Sequence, residues 1–121
     1  IASLIEREGK ADDERPTIDS VIYNRLRLGM PLEIDASIEY TFPEHHDVIT
    51  KRDLESDSPY NTYRHTGLLP TPIANPGKPS LDAAFRPARS DYLFYVAKGD
   101  GHHAFAKTLQ EHNANVSRYL K

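Results

Sequence analysis

The chain has 121 residues with 15 basic and 18 acidic side chains, giving a formal net charge of −3 at pH 7. This acidic excess argues against nucleic-acid binding, which usually requires a basic face. No cysteine is present, which excludes disulfides and thiolate metal sites, and no apolar run reaches the roughly 18 residues of a membrane-spanning helix. We expect residues 1–121 to form one domain. Because the chain opens without Met inside a helical pattern, we also expect it to be the C-terminal part of a longer protein.

The first nine residues carry the most informative pattern. One face of a helix is formed at the spacing i, i+3, i+4, i+7 by Ile1, Leu4, Ile5 and Glu8. Burying this face points Glu8 at the interior or at the lip of a pocket, where loss of water raises the proton affinity of a carboxyl group. Glu6 lies on another side of the helix and should face solvent or a flank. Alternatively, Glu8 only marks where the buried face reaches water before Gly9 ends the helix.

A second helix is predicted from Ile18 to Leu26, closed by Gly29. Asp12 and Asp13 are candidates for its N-cap. Arg25 interrupts the apolar face, so its guanidinium either extends to the surface or is held by a carboxylate.

Residues 31–41 read either as a strand or as an extended entry into a short helix after Asp35, and the second interpretation is preferred. Residues 43–79 contain six prolines, which predicts a long loop. Within it, residues 60–63 form a polar aromatic cluster suited to lining a groove.

The last third of the chain supplies the β element. Ser80 is predicted to cap a short helix that runs to Phe85. Residues 91–97 predict a strand, and the turn at residues 98–101 returns the chain into a partner strand through residues 103–105. Residues 108–111 form a capping box for a last helix whose apolar residues are Leu109, Val116 and Leu120. The fold class is therefore α+β, dominated by helices, with a small antiparallel element and a long Pro-rich loop.

Six histidines invite a metal hypothesis. The pairs His45–His46 and His102–His103, together with His65 and His112, lack the spacing of a zinc helix motif, so surface or hydrogen-bonded roles are preferred. We expect neither a metal nor a cofactor. His103, beside a turn, is the one histidine expected to be aimed at a neighbouring cleft.

A carboxyl group held protonated near neutral pH is what glycosidic bond cleavage requires of a general acid. An ordinary glycosidase needs a second carboxylate, for which Glu33 and Asp35 are available. A lytic reaction needs one, because the 6-hydroxyl of the sugar itself attacks the anomeric carbon.

Seven blocks in order resemble the endolytic murein transglycosylase family, also called MltG or YceG-like. They are Ala2–Glu8, Asn24–Leu26, Leu32–Tyr40, Ser58–Tyr63, Gly67–Ile73, Asn75–Gly77 and Gly101–Phe105. The resemblance implies a lysozyme-like catalytic domain that cleaves the β-1,4 bond between N-acetylmuramic acid and N-acetylglucosamine and leaves 1,6-anhydro ends. It further implies an upstream transmembrane helix and LysM-like region, a location on the outer face of the bacterial cytoplasmic membrane, peptidoglycan strands as substrate and peptidoglycan synthases as partners. A glycan-binding module without catalysis is the alternative.

By motif position the resemblance makes Glu8 the catalytic acid and base. It implies a substrate-binding set comprising Tyr60, Asn61, Thr62, Tyr63, Glu33, Ser37 and His103. It implies a supporting set comprising Asn24, Arg25, Asp35 and Tyr40, with Arg25–Asp35 as a pair. Glu33 stands where the family commonly has Gln, and Ala36 where it commonly has Pro. An ionised Glu33 cannot donate the hydrogen bond that an amide would.

Overall fold

The computed structural model describes residues 1–42 and 49–120. Within these ranges the helices are α1 (Ala2–Glu8), α2 (Arg15–Leu28), α3 (Asp35–Glu39), α4 (Lys78–Phe85) and α5 (Leu109–Tyr119). The strands β1 (Phe94–Ala97) and β2 (His103–Ala106) form an antiparallel pair, and two short 3₁₀ turns span Asp12–Glu14 and Asp53–Glu55. The α+β prediction is confirmed. None of the described helices combines the length and the apolar character needed to cross a membrane.

The core forms where α1, α2 and α4 meet the segment that leads into α3. Its buried side chains are Leu4, Ile5, Ile18, Ile22, Leu32, Ile34 and Ala83. The predicted α1 face is therefore buried, and α2 ends at Gly29 as predicted, with φ of 69° in the left-handed region that glycine favours. Burying this aliphatic set fixes the axis of α1 and with it the direction of its last residue.

Two capping predictions are wrong. Asp12 and Asp13 lie in the 3₁₀ turn and cap nothing with their side chains; Asp12 instead pairs with Arg15. Ser80 lies inside α4, whose N-cap is Gly77, and its hydroxyl donates to Glu6 across the α1–α4 contact. In both cases another side chain replaces the local backbone as the partner: Arg15, one turn further along, for Asp12, and Glu6 of α1 for Ser80.

The segment before α3 is extended and the helix begins at Asp35, so the interpretation of an extended entry into a short helix is confirmed over a strand. The predicted loop is also present in its described part, because residues 49–77 hold no regular element apart from the 3₁₀ turn at Asp53–Glu55. His45 and His46 lie outside the described residues.

The hairpin has the predicted turn, with Gly99 and Gly101 at φ of 91° and 90°. Its first strand begins at Phe94 rather than at Asp91, because the carbonyls of Ser90 and Tyr92 accept hydrogen bonds from the side-chain amide of Asn24, at 2.9 Å each, instead of from a strand. Thr108 caps α5 by accepting from the backbone N–H of Glu111, as predicted.

The apolar residues of the last helix are largely exposed. Leu109 and Leu120 are more than half exposed, and no residue of α5 is fully buried. The helix packs beside the hairpin and turns this face toward an open cavity instead of the core.

Candidate active site at the end of the first helix

A cavity of about 500 Å³ opens between the end of α1, the hairpin and α5. Its acidic lining residues are Glu8, Glu33 and Asp35. Arg25, Tyr63 and Tyr95 add polar groups, and apolar residues from α2, β1 and α5 complete the wall. A cavity of this size, mostly apolar with a few convergent polar groups, is the usual form of a small-molecule or glycan site.

Glu8 is the last residue of α1 and is partly buried against this cavity. Loss of water is the main cause that raises the pKa of its carboxyl to about 7; the negative charges of Asp35 and Glu39 contribute to this shift, and the positive charge of Arg7 opposes it. Among the described residues its carboxyl has no hydrogen-bond or ion-pair partner. The acid is thus close to half-protonated at neutral pH and open to a ligand.

Arg15 fixes the backbone directly after Glu8. Its buried guanidinium donates to the carbonyl of Gly9 at 2.8 Å and lies 3.9 Å from a carboxylate oxygen of Glu6. A Cβ at Gly9 would stand 2.9 Å from the Arg15 side chain, so a glycine is required by this close approach rather than by a left-handed turn.

Glu6 anchors α1 from its other side. Its Oε1 accepts from the backbone N–H of Gly77 at 2.6 Å and from the hydroxyl of Ser80 at 3.2 Å. The hydrogen bond from Gly77 lowers the pKa of Glu6, so this carboxylate stays ionised where the pKa of Glu8 is raised. The two glutamates of α1 therefore have opposite roles, one in holding the helix and one in the cavity.

Asp35 and Tyr63 form a pair on the cavity wall. The Tyr63 hydroxyl donates to Asp35 Oδ1 at 2.6 Å, and burial together with this bond raises the pKa of Tyr63. Both residues line the same cavity as Glu8, as the sequence interpretation expected of a groove residue and its support.

The predicted Arg25–Asp35 pair is wrong. Arg25 Nη1 lies 3.6 Å from a carboxylate oxygen of Glu33 and donates to the carbonyl of Pro31 at 2.8 Å. Arg25 Nε donates to the carbonyl of Leu93 at 2.7 Å. Glu33 has a φ of 53°, a left-handed conformation that costs a non-glycine residue about 1 kcal/mol. With this backbone conformation Glu33 lines the cavity beside Arg25, and Asp35 is hydrogen-bonded to Tyr63 instead.

Three residues expected to bind substrate do not face the cavity. Asn61, Thr62 and Ser37 are almost fully buried. The side-chain amide of Asn61 donates to the carbonyls of Leu54 and Ser56 at 3.0 and 2.8 Å. The hydroxyl of Thr62 accepts from the backbone N–H of Ile34 at 2.8 Å and lies 3.0 Å from the hydroxyl of Ser37. Their hydrogen bonds are made within the protein, where they hold Tyr63 and the entry to α3 in place.

Tyr60 and Tyr40 form a separate aromatic pair, with ring centroids 5.1 Å apart. The Tyr60 hydroxyl lies 2.8 Å from Thr71 Oγ1, and neither tyrosine lines the cavity beside Glu8. A role for them in binding a strand beyond this cavity stays a prediction.

His103 is not on the cavity rim. Its Nδ1 and backbone N–H both lie 3.0 Å from Glu14 Oε1, and its ring packs edge-on against Tyr95 with centroids 5.3 Å apart. Tyr95, which sequence reasoning missed, lines the cavity instead, and burial followed by the charge of Glu8 raises its pKa well above the ordinary value. Strand alternation would not have identified Tyr95, because its neighbours Phe94 and Val96 line the same cavity.

Asn24 ties residues 90–92 to α2 and thereby sets where the hairpin starts, and its supporting role in the site stays a prediction. Arg15 and His112 were missed. Arg15 gave no local signal, whereas His112 follows Leu109 at i+3 and precedes Val116 at i+4, the spacing of one helix face. In the described part of the chain, no three His, Cys, Asp or Glu side chains cluster as metal ligands would.

The geometry defines a cavity with an unpaired, partly buried carboxyl at a helix end, and comparison with known sequences gives the family. The model of the YceG-like family matches residues 1–118, so the chain belongs to the YceG-like family.

Named relatives agree with this membership. An endolytic murein transglycosylase of Bacillus subtilis (strain 168) is 48% identical over 120 residues, covering 99% of this chain and 33% of that protein. An endolytic murein transglycosylase of Streptococcus pneumoniae serotype 2 (strain D39 / NCTC 7466) is 33% identical over 126 residues, covering 99% and 23%. A crystal structure of a putative YceG-like protein from Listeria monocytogenes superimposes with a TM-score of 0.86 at 46% identity, covering 93% of this chain and 36% of that one. The chain thus spans a third or less of the length of the curated relatives it matches.

Proposed function

We propose that the protein is a lytic transglycosylase that cleaves the β-1,4 bond between N-acetylmuramic acid and N-acetylglucosamine in peptidoglycan strands. The observation that carries this proposal is Glu8, an unpaired carboxyl with a pKa of about 7 on the wall of a cavity of about 500 Å³. A pKa near the working pH suits a group that must first give and then take a proton. The relatives named endolytic murein transglycosylase support the substrate class.

In the proposed reaction, protonated Glu8 gives its proton to the glycosidic oxygen as the bond from that oxygen to C1 of the muramic sugar breaks. The 6-hydroxyl of the same sugar forms a bond to C1, and its proton passes to the Glu8 carboxylate. Products are a free 4-hydroxyl and a 1,6-anhydro end, and Glu8 is restored without water. Intramolecular attack replaces the water-activating carboxylate of a hydrolase.

The neighbours of Glu8 have separate tasks in this proposal. Asp35 and Glu39 keep the Glu8 carboxyl protonated into the neutral range, and Arg15 holds the backbone that follows it. Arg25 keeps the carboxylate of Glu33 in the cavity wall, where an oxygen can accept from sugar hydroxyls.

Further expectations belong to the same proposal. We expect the protein to act at the outer face of the bacterial cytoplasmic membrane and to work with peptidoglycan synthases. Both expectations come from the resemblance of the sequence motifs, and a tagged protein followed by fractionation and cross-linking in cells tests them.

The test is the mass of the products from purified glycan strands. We expect 1,6-anhydro ends from the wild-type protein and none from Glu8→Gln, which keeps the size of the side chain. Ends heavier by one water would make the protein a hydrolase with Asp35 or Glu33 as the second carboxylate. Strand binding without any cleavage would favour a non-catalytic glycan-binding module.

A further inference from the structure

Part of the wall of the cavity that contains Glu8 comes from α5, the last helix of the described chain. Three residues of α5 and the residue that follows it line the cavity; this set, which we call the α5 face, consists of Leu109, His112, Val116 and Leu120. Leu109 and Leu120 remain 58% and 57% exposed because this face borders the open cavity rather than the core. Exposed apolar side chains that line a cavity are typical of a ligand-binding surface.

His112 is the polar residue of the α5 face and is held rigidly. Its ring stacks on Phe94 with centroids 4.9 Å apart and an interplanar angle of 21°. Its Nδ1 is buried with no partner among the described residues, so the ring meets the cavity through Nε2. Burial and then the charge of Arg25 lower the pKa of His112, which favours the neutral ring. A neutral ring with its proton on Nε2 presents one hydrogen-bond donor to the cavity.

We propose that the α5 face binds the acetamido group of an N-acetylated sugar, with His112 Nε2–H donating to the carbonyl oxygen and Leu109 and Val116 contacting the methyl group. An acetamido group combines one strong acceptor with one methyl group, and the α5 face combines one donor with aliphatic side chains in the same way. The inference rests on the proposed function and names a specificity element for it.

The test measures binding of glycan strands in a Glu8→Gln background, where the strands stay intact. Fully N-acetylated strands are compared with chemically de-N-acetylated strands. His112→Ala should weaken binding of the acetylated strands about three- to tenfold, the range expected for one hydrogen bond to a neutral acceptor. His112→Gln retains a donor and should recover part of the loss.

Asn113→Ala is the matched control, because Asn113 is the exposed neighbour of His112 on α5. Dividing each affinity by that of the control removes the effect of the amines that de-N-acetylation creates. The loss caused by His112→Ala should shrink on de-N-acetylated strands. An equal loss on both substrates, or no loss on either, would overturn the assignment.

Two further outcomes are separable. If His112→Ala fails to fold, the comparison is made with His112→Gln. The ratio of its affinities for acetylated and de-N-acetylated strands should be smaller than the same ratio for the parent. An equal ratio would overturn the proposal. If wild-type protein forms no anhydro ends, the proposed function fails, but the binding comparison remains decisive because it involves no turnover.

Discussion

Glu8 and Asp19 are two acids whose surroundings raise the pKa to about 7, and they lie in contrasting parts of the molecule. Glu8 ends a helix at the wall of a cavity. Asp19 lies within α2, is fully buried, and has no partner for either carboxyl oxygen among the described residues. Burial is the leading cause of both shifts. A raised pKa therefore reports desolvation, and only the cavity beside Glu8 gives a substrate access to the proton.

The sharpest test of this contrast is activity. Glu8→Gln should lower the rate of glycan cleavage at least about 100-fold, because a positioned general acid contributes that much or more. Asp19→Asn should stay within about twofold of wild type, since Asp19 does not line the cavity. Initial rates on glycan strands, with thermal unfolding as the folding control, measure both. Comparable losses in the two variants would place the chemistry elsewhere.

The buried position of Asp19 should instead appear in the pH dependence of stability. Folding raises the pKa of Asp19 from 3.8 to about 7, so wild type binds this proton more tightly when folded. Its contribution to stability is complete below about pH 4 and is lost as the pH rises through about 7. Asp19→Asn should therefore raise the free energy of unfolding at pH 8, by up to about 4 kcal/mol, and change it little at pH 4. Denaturant unfolding at both pH values measures this, and equal effects at the two would contradict it.

Asn61→Ala extends the comparison from the acids to the loop that supports the cavity. Losing the two bonds to the carbonyls of Leu54 and Ser56 should cost about 2 kcal/mol of unfolding free energy, since those acceptors lose their partner. Tyr60→Phe, which removes a more exposed hydroxyl, should change it by about 0.5 kcal/mol or less. If the two variants were equally stable, Asn61 would not be the structural residue that its burial indicates.

Of these variants, Asp35→Asn should change the rate of cleavage least, and the direction of its effect on the pH dependence identifies the group that titrates. The negative charge of Asp35 raises the pKa of Glu8, so its removal lowers that pKa. Because cleavage needs protonated Glu8, the alkaline limb of the pH–rate profile should move to lower pH. Asp19→Asn should leave that limb where it is. A limb that moved upward in Asp35→Asn would show that a different group controls it.

The sequence was sufficient for the parts of the site that depend on short-range pattern. The apolar spacing of Leu4 and Ile5 selected Glu8 over Glu6, and both carboxylates lie where helix geometry places them. The turn at Gly29 and the cap at Thr108 likewise need only neighbours in the chain. The buried position of Asn61 could not be predicted, because nothing local reveals that its side-chain amide donates to the carbonyls of Leu54 and Ser56.

Periodicity, turn chemistry and family motifs thus established the helices, the hairpin and the acid at the end of α1, because each of these follows from interactions within a few residues. Pairings across the chain were decided by packing. Arg25 met Glu33 instead of Asp35, Arg15 closed on Gly9, and α5 turned its apolar side to the cavity. Such choices depend on which side chains share a space once the core has formed, and a linear pattern carries no information about that competition.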